Sequence, residues 1–156
     1  MAFETLDPFS RHFAESLFAV YPQWKPFAKV EKADGSGSSY LAVEVVPAPN
    51  SDVATGLYIL TENDEVTIGF DSYHCHFDWP ARDTDLTVDP MAFVSAILDE
   101  RVAVVSVWEG EKWCGSWLMI EGREPDHDKY GGPGRRLRIR SWNGTLDRDV
   151  TPFLGS

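Results

Sequence analysis

The middle of the chain reads Leu57-Tyr58-Ile59-Leu60-Thr61-Glu62-Asn63-Asp64-Glu65-Val66-Thr67-Ile68-Gly69-Phe70. Its apolar residues recur at every second position, as they do in strands with one buried face: Leu57 and Ile59, then Val66, Ile68 and Phe70. The polar residues between the two runs are typical of a turn. The stretch therefore predicts a β-hairpin, and it sets the pattern for most of the chain.

Further strands are predicted where the same period-two pattern returns, at 41–45, 73–79, 102–108, 113–120 and 135–142. The strands at 102–108 and 113–120 flank Glu109-Gly110-Glu111, a second hairpin signal. Gly-rich or Pro-rich residues at 33–39 and 121–134 are expected to form loops.

Two segments predict helices, and each begins with Asp-Pro, a capping side chain followed by a residue whose missing N–H costs nothing in the first turn. After Asp7, apolar residues recur at helical spacing until Pro22 ends the run, at Phe9, Phe13, Leu17 and Val20. After Asp89, a second apolar stripe is formed by Phe93, Val94, Ile97 and Leu98.

Hairpin turns in place of repeated βαβ units indicate the α+β class, with a mostly antiparallel sheet and two helices packed on one face. The length of 156 residues is close to the commonest domain size. We therefore expect a single domain that spans residues 1–156.

The net charge of −11 is unevenly spread along the chain. Residues 33–100 carry thirteen acidic residues and one base, Arg82, whereas residues 129–156 carry six bases and two acids. Phosphates are repelled by such an acidic body, so nucleic acid is disfavoured as its partner. The charge favours a cationic partner.

The sequence also predicts where the protein works. No apolar run approaches the roughly 18 residues of a membrane span, and the N-terminus lacks the features of a signal peptide. Two cysteines are too few for a disulfide framework, which fits a reducing compartment, and we expect a cytoplasmic protein. Because the phosphate-loop, nucleophile-elbow and zinc-protease motifs are absent, we expect no cofactor and no catalytic residue.

The segment Tyr73-His74-Cys75-His76-Phe77-Asp78-Trp79 suggests an alternative. On a strand, His74, His76 and Asp78 share one face, and two imidazoles with a carboxylate could hold zinc or iron. The segment resembles the His-x-His-x-Asp-His signature of metallo-β-lactamase-like hydrolases, except that Trp79 replaces the final His. A metal-dependent hydrolase or small-molecule binder is therefore the alternative to a plain polar strand face, which we favour.

Arginines form a ladder near the C-terminus, where the predicted strand puts Arg136, Arg138 and Arg140 on one face. Such a ladder could bind phosphate or a single-stranded base. In a chain this acidic, we favour internal pairing with carboxylates of neighbouring strands.

The pattern Glu65-Val66-Thr67-Ile68-Gly69-Phe70, leading into His74-Cys75-His76-Phe77, with the late Ser141-Trp142-Asn143-Gly144 and Asp147, resembles small bacterial immunity proteins. Those proteins neutralise polymorphic or contact-dependent toxins. The resemblance covers about half of the chain. It implies a cytoplasmic protein that blocks a toxin, often a basic nuclease.

An acidic, aromatic-rich domain without catalytic motifs is typical of stoichiometric inhibitors of basic proteins, because opposite charges speed encounter and Trp or Tyr side chains anchor the complex. If the resemblance holds, the toxin is expected to contact the acidic surface of Glu62, Asp64, Glu65, Asp83 and Asp85. Trp79 is the candidate anchor.

Overall fold

The computed structural model describes residues 3–35, 37–121, 123–124, 132 and 134–151. These residues form two antiparallel sheets and two α-helices, which confirms the predicted α+β class. The strands divide between two sheets, whereas the sequence pattern predicts only that a sheet is present. Much of the loop predicted at 121–134 lies outside the described residues.

The five-stranded sheet has the order β1-β2-β3-β4-β5, with neighbours along the chain paired throughout. Its strands are β1 (Ala28–Lys32), β2 (Ser39–Glu44), β3 (Tyr58–Leu60), β4 (Val66–Phe70) and β5 (Tyr73–Phe77). The hairpin predicted from residues 57–70 is β3 and β4, joined by a short 3-10 turn at Glu62–Asp64.

The four-stranded sheet has the order β7-β6-β8-β9. Its strands are β6 (Val102–Glu109), β7 (Lys112–Ile120), β8 (Arg135–Arg140) and β9 (Arg148–Val150). The hairpin predicted around Gly110 joins β6 to β7.

The helices are α1 (Pro8–Val20) and α2 (Pro90–Leu98), with short 3-10 segments at Phe3–Thr5 and Pro22–Phe27. The predicted caps are confirmed: the Asp7 carboxylate accepts a hydrogen bond from the Ser10 backbone N–H at 2.8 Å, and that of Asp89 accepts one from Met91 at 2.9 Å. The predicted apolar face of α1 was wrong at Val20, which is 57% exposed, because the helix ends there. No helix in the described part of the chain is long and apolar enough to cross a membrane.

The two faces of the five-stranded sheet differ sharply. The inner face carries buried apolar residues that pack in one core with α1 and α2: Ala28, Leu41, Val43, Ile59, Val66, Ile68 and Phe77. The outer face carries the alternate residues, which are exposed or half-buried apart from Gly69: Lys29, Glu31, Tyr40, Ala42, Glu44, Tyr58, Leu60, Thr67, Gly69, His74 and His76. The predicted packing of helices on one face is confirmed.

The four-stranded sheet shares this core, since Val102 and Val104 of β6 and the nearby Trp142 belong to it. The opposite side of β6 contributes to a second apolar cluster with β7 and β8: Ala103, Val105, Val107, Met119, Leu137 and Ile139. Residues 102–107 are therefore buried on both faces.

Candidate functional site

Carboxylates gather at one end of the five-stranded sheet. Because its neighbouring strands are antiparallel, the β1–β2 connection, the β3–β4 connection and the end of β5 all lie at this end. We call this set the acidic rim: Glu31, Asp34, Glu62, Asp64, Glu65, Asp78, Asp83 and Asp85. The same segments carry two bases, Lys32 and Arg82. Of the five acids predicted to contact a partner, Glu62, Asp64 and Glu65 thus lie at one end of the sheet, whereas Asp83 and Asp85 lie in the connection that leads from that end to α2.

Tyr40 of β2 marks the side of the rim nearest to β1. The pKa of its phenol is raised, first by partial desolvation and then by the negative charges of Glu62, Glu31 and Asp34. These three carboxylates therefore lie close enough to act on the same group. Sequence reasoning missed Glu31 and Asp34 as site residues, since it did not predict β1.

Glu65 and His76 connect the rim to the outer face. The His76 Nδ1 atom lies 3.0 Å from Glu65 Oε1 and 2.8 Å from Thr67 Oγ1, across the β4–β5 pair. The ring of His74 meets that of His76 edge-on, with their centroids 5.4 Å apart. These contacts make His76 part of a polar strand face.

The alternative metal site is not assembled. Asp78 lies beyond the end of β5, and its carboxylate pairs with Arg82 at 3.5 Å on the surface. Among the described residues, no group of three or more His, Cys, Asp or Glu side chains could hold a metal ion. His74, His76 and Asp78 therefore form no metal-binding cluster.

The segment between β5 and α2 holds its carboxylates in turns. Asp85 Oδ1 accepts hydrogen bonds from the Thr87 hydroxyl at 2.5 Å and the Thr87 N–H at 2.8 Å, and these bonds hold the pKa of Asp85 below its ordinary value. Asp83 Oδ1 accepts one from the Thr84 N–H at 2.6 Å. A depression lined by His76, Asp78, Arg82 and Thr87 shows that this segment folds back against the end of β5.

Trp79, the predicted anchor, is half-buried against α1. Its ring meets Phe13 edge-on with centroids 5.2 Å apart, and the His12 ring lies 5.9 Å away. The indole Nε1 atom is buried and has no hydrogen-bond partner among the described residues. Trp79 thus ties the segment that carries Asp83 and Asp85 to the first helix.

The arginine ladder is used internally. Arg138 Nη1 lies 2.9 and 2.8 Å from the two carboxylate oxygens of Asp71, whose side chain is fully buried. Arg140, 8% exposed, contacts Asp52 at 2.9 Å and Asp149 at 3.0 Å. The guanidinium of Arg136 is 3.7 Å from Asp149 and stacks 5.9 Å from the Trp108 ring centre. Internal pairing of these arginines is therefore confirmed, but the predicted location of the partners was right only for Asp149 on the neighbouring strand β9, since Asp71 and Asp52 lie in loops of the other sheet.

Because the arginines of the ladder pair with carboxylates of the same chain, the acidic rim is the main concentration of unbalanced charge on the described part of the chain. Such a surface can attract a cationic partner over several ångströms and orient its approach. Comparison with protein-family models, with curated proteins and with solved structures finds no match to this chain.

Proposed function

We propose that the protein binds a basic protein partner through the acidic rim, and that it acts in the cytoplasm as an immunity protein that neutralises a toxin domain by stoichiometric binding. The observation that carries the proposal is the excess of eight carboxylates over two bases in the three segments that leave one end of the five-stranded sheet. The sequence resemblance to immunity proteins supports the identity of the partner.

The chemistry of the rim suits binding better than catalysis. Its acids come from three separate connections, and most are exposed side chains of turns. Exposed charges of one sign raise the association rate with an oppositely charged protein and are screened by salt. A toxin held at this end would be blocked by the bulk of the domain, without any reaction.

The proposal requires a gene for a basic toxin beside this one. The test titrates that toxin, produced as an inactive variant, into the protein by calorimetry, and the absence of such a gene would contradict the proposed immunity function. We expect binding that weakens steeply as NaCl rises from about 50 to about 300 mM, because the Debye length shortens over that range. The rim variant Asp34→Lys/Glu62→Lys/Asp78→Lys should lose at least about tenfold in affinity, or about 1.4 kcal/mol.

The matched control is Glu15→Lys/Glu111→Lys/Glu121→Lys, which has the same net charge but alters exposed acids outside the rim. It should keep most of the affinity. A complex that is indifferent to ionic strength, or that loses as much affinity in the control as in the rim variant, would contradict the proposal.

A further inference from the structure

A hollow of about 260 Å³ opens on the outer face of the five-stranded sheet. Its floor is Ala42, which lies in register between Lys29 of β1 and Leu60 of β3. Phe27 and Tyr58 also line it. The hollow exists because β2 carries only the methyl group of Ala42 where β1 and β3 carry the longer side chains of Lys29 and Leu60.

The Tyr58 ring occupies the space that a side chain at position 69 would fill, and this space is open because residue 69 is glycine. The two residues are paired across β3 and β4, and a Cβ atom added at Gly69 would come within 2.0 Å of the Tyr58 ring. The ring therefore packs over the backbone of β4, which explains why Gly69 is buried on an otherwise accessible face. The Tyr58 ring thus forms an aromatic wall of the hollow in a defined position.

The hollow has an acid on two of its sides, and one of these acids belongs to the rim. Glu44 lines the hollow itself, and Glu31 and Tyr40 face outward as a cross-strand pair beside it. Tyr40 in turn lies within reach of the charges of Glu62 and Asp34. Among the residues that the structure describes, Lys29 is the one base that lines the hollow. An apolar depression with a charged border is the usual arrangement at the centre of a protein interface.

We infer that this hollow is an anchor pocket, and that it takes one large apolar side chain presented on a basic segment of the partner. The inference rests on the proposed function and makes it more specific. Phe27, Ala42, Tyr58 and Leu60 favour an apolar occupant, because a polar group buried there without a hydrogen bond would lose its hydration. Glu44 and Glu31, on two sides of the hollow, outnumber Lys29 and favour lysines or arginines on both sides of that occupant.

Two capped nine-residue peptides test the inference. One has Phe flanked by four lysines on each side, and the other has Ser in place of Phe. Both are titrated into the isotope-labelled protein while backbone amide shifts are recorded. We expect both to shift amides of the rim at low salt, and only the Phe peptide to shift those of Ala42, Tyr58 and Leu60 and to bind about tenfold tighter.

The decisive variant is Ala42→Leu, which fills the hollow from the solvent side and leaves the inner face unchanged. It should abolish the advantage of the Phe peptide and leave the affinity of the Ser peptide and its salt dependence as they were. The matched control, His74→Leu, adds the same side chain to the outer face on β5, outside the hollow. It should keep the advantage of the Phe peptide.

The outcomes separate the two proposals. Equal binding of both peptides, or an advantage of the Phe peptide that persists in Ala42→Leu, overturns the anchor pocket alone. Failure of the Ser peptide to bind in a salt-dependent manner counts against the acidic rim. A Phe preference that is insensitive to salt would show that the hollow takes apolar groups without a basic context, which contradicts the inference as stated.

Discussion

Arg138 and Asp71 form the most buried ion pair in the described part of the chain, with side chains 14% and 0% exposed. Asp71 lies in the turn between β4 and β5, and it also accepts a hydrogen bond from the Ala54 N–H at 2.7 Å. The guanidinium of Arg138 also donates to the Asp52 carbonyl. One residue of the four-stranded sheet thus fixes two loops of the other sheet.

Arg138→Met is expected to lower the free energy of unfolding by about 3–5 kcal/mol, because it leaves the Asp71 carboxylate buried without its counter-charge. Urea denaturation measures the change. The control is Arg82→Met, whose pair with Asp78 has side chains 87% and 83% exposed, and it should cost at most about 1 kcal/mol. Similar losses in the two variants would contradict this prediction.

Glu100 is a second residue with a defined electrostatic role. Its Oε1 atom accepts hydrogen bonds from the Ser141 hydroxyl at 2.6 Å and from the N–H groups of Asn143 and Thr145 at 2.8 and 3.2 Å. Partial burial acts to raise the pKa of Glu100, but these bonds outweigh it and hold the pKa below its ordinary value. The ionised form therefore stabilises the folded state.

Because the folded pKa is depressed, this stabilisation is present above the unfolded pKa of about 4.3 and is lost as pH falls through the folded value. We expect Glu100→Gln to lower the urea midpoint most above about pH 5.5, with the difference from the native chain shrinking in acid. Ser141→Ala, which removes one donor, should show a smaller effect in the same range. A difference that stays constant into acid would rule out this role.

At the scale of elements, α1 is tied to the five-stranded sheet by its N-cap residue, Asp7. Asp7 caps the helix, accepts a hydrogen bond from the Ser38 hydroxyl at 3.2 Å, and donates its N–H to the Ser39 carbonyl at 2.8 Å. Ser10 and Thr61 add a buried hydroxyl pair at 2.6 Å. The start of α1 therefore positions the end of the sheet that bears the acidic rim.

Asp7→Ala should lower the free energy of unfolding by about 1–2 kcal/mol, at the upper part of the range for a lost N-cap, because it removes the contact with Ser38 as well. Asp89→Ala, which removes the cap of α2, should cost about 1 kcal/mol. Thermal unfolding of the two variants gives the comparison. The reverse order would show that the Ser38 contact contributes nothing.

Most elements could be predicted from the sequence, because alternation and Asp-Pro caps are local signals. The edge strands β1 and β9 could not, since few of their residues are buried and the alternation is weak. The division of the strands into two sheets could not be predicted either. Alternation shows which side chains face the core, but it does not show which strands pair, and residues 102–107 of β6 are buried on both faces.

Some residues of the candidate site could likewise be predicted from local sequence signals, whereas others depend on how the strands pair. The acids at 62–65 and 83–85 could be found from local charge, whereas Glu31 and Asp34 join them only through the pairing of β1 with β2. Trp79 was proposed as an anchor from its residue type alone. Its contact with Phe13 could not be predicted, because it depends on where α1 packs. The hollow depends on the register that places Ala42 between Lys29 and Leu60, which no local pattern reveals.

At the scale of the molecule, the two sheets are joined by a shared core and by the pair of Arg138 with Asp71. Such joining predicts that the chain unfolds as one unit, in line with a single domain. Urea transitions followed by far-ultraviolet circular dichroism and by tryptophan fluorescence should coincide. Two separate midpoints would show that the sheets unfold independently.

The contrast between the faces of the five-stranded sheet has an evolutionary consequence. Substitutions at accessible positions such as Lys29, Ala42 and Leu60 are expected to change stability little compared with changes at Leu41 or Val43, which are fully buried. A lineage can therefore revise the surface it offers to a partner while the fold persists. Under the proposed function, that freedom would let new partner specificities arise by single substitutions that leave the fold stable.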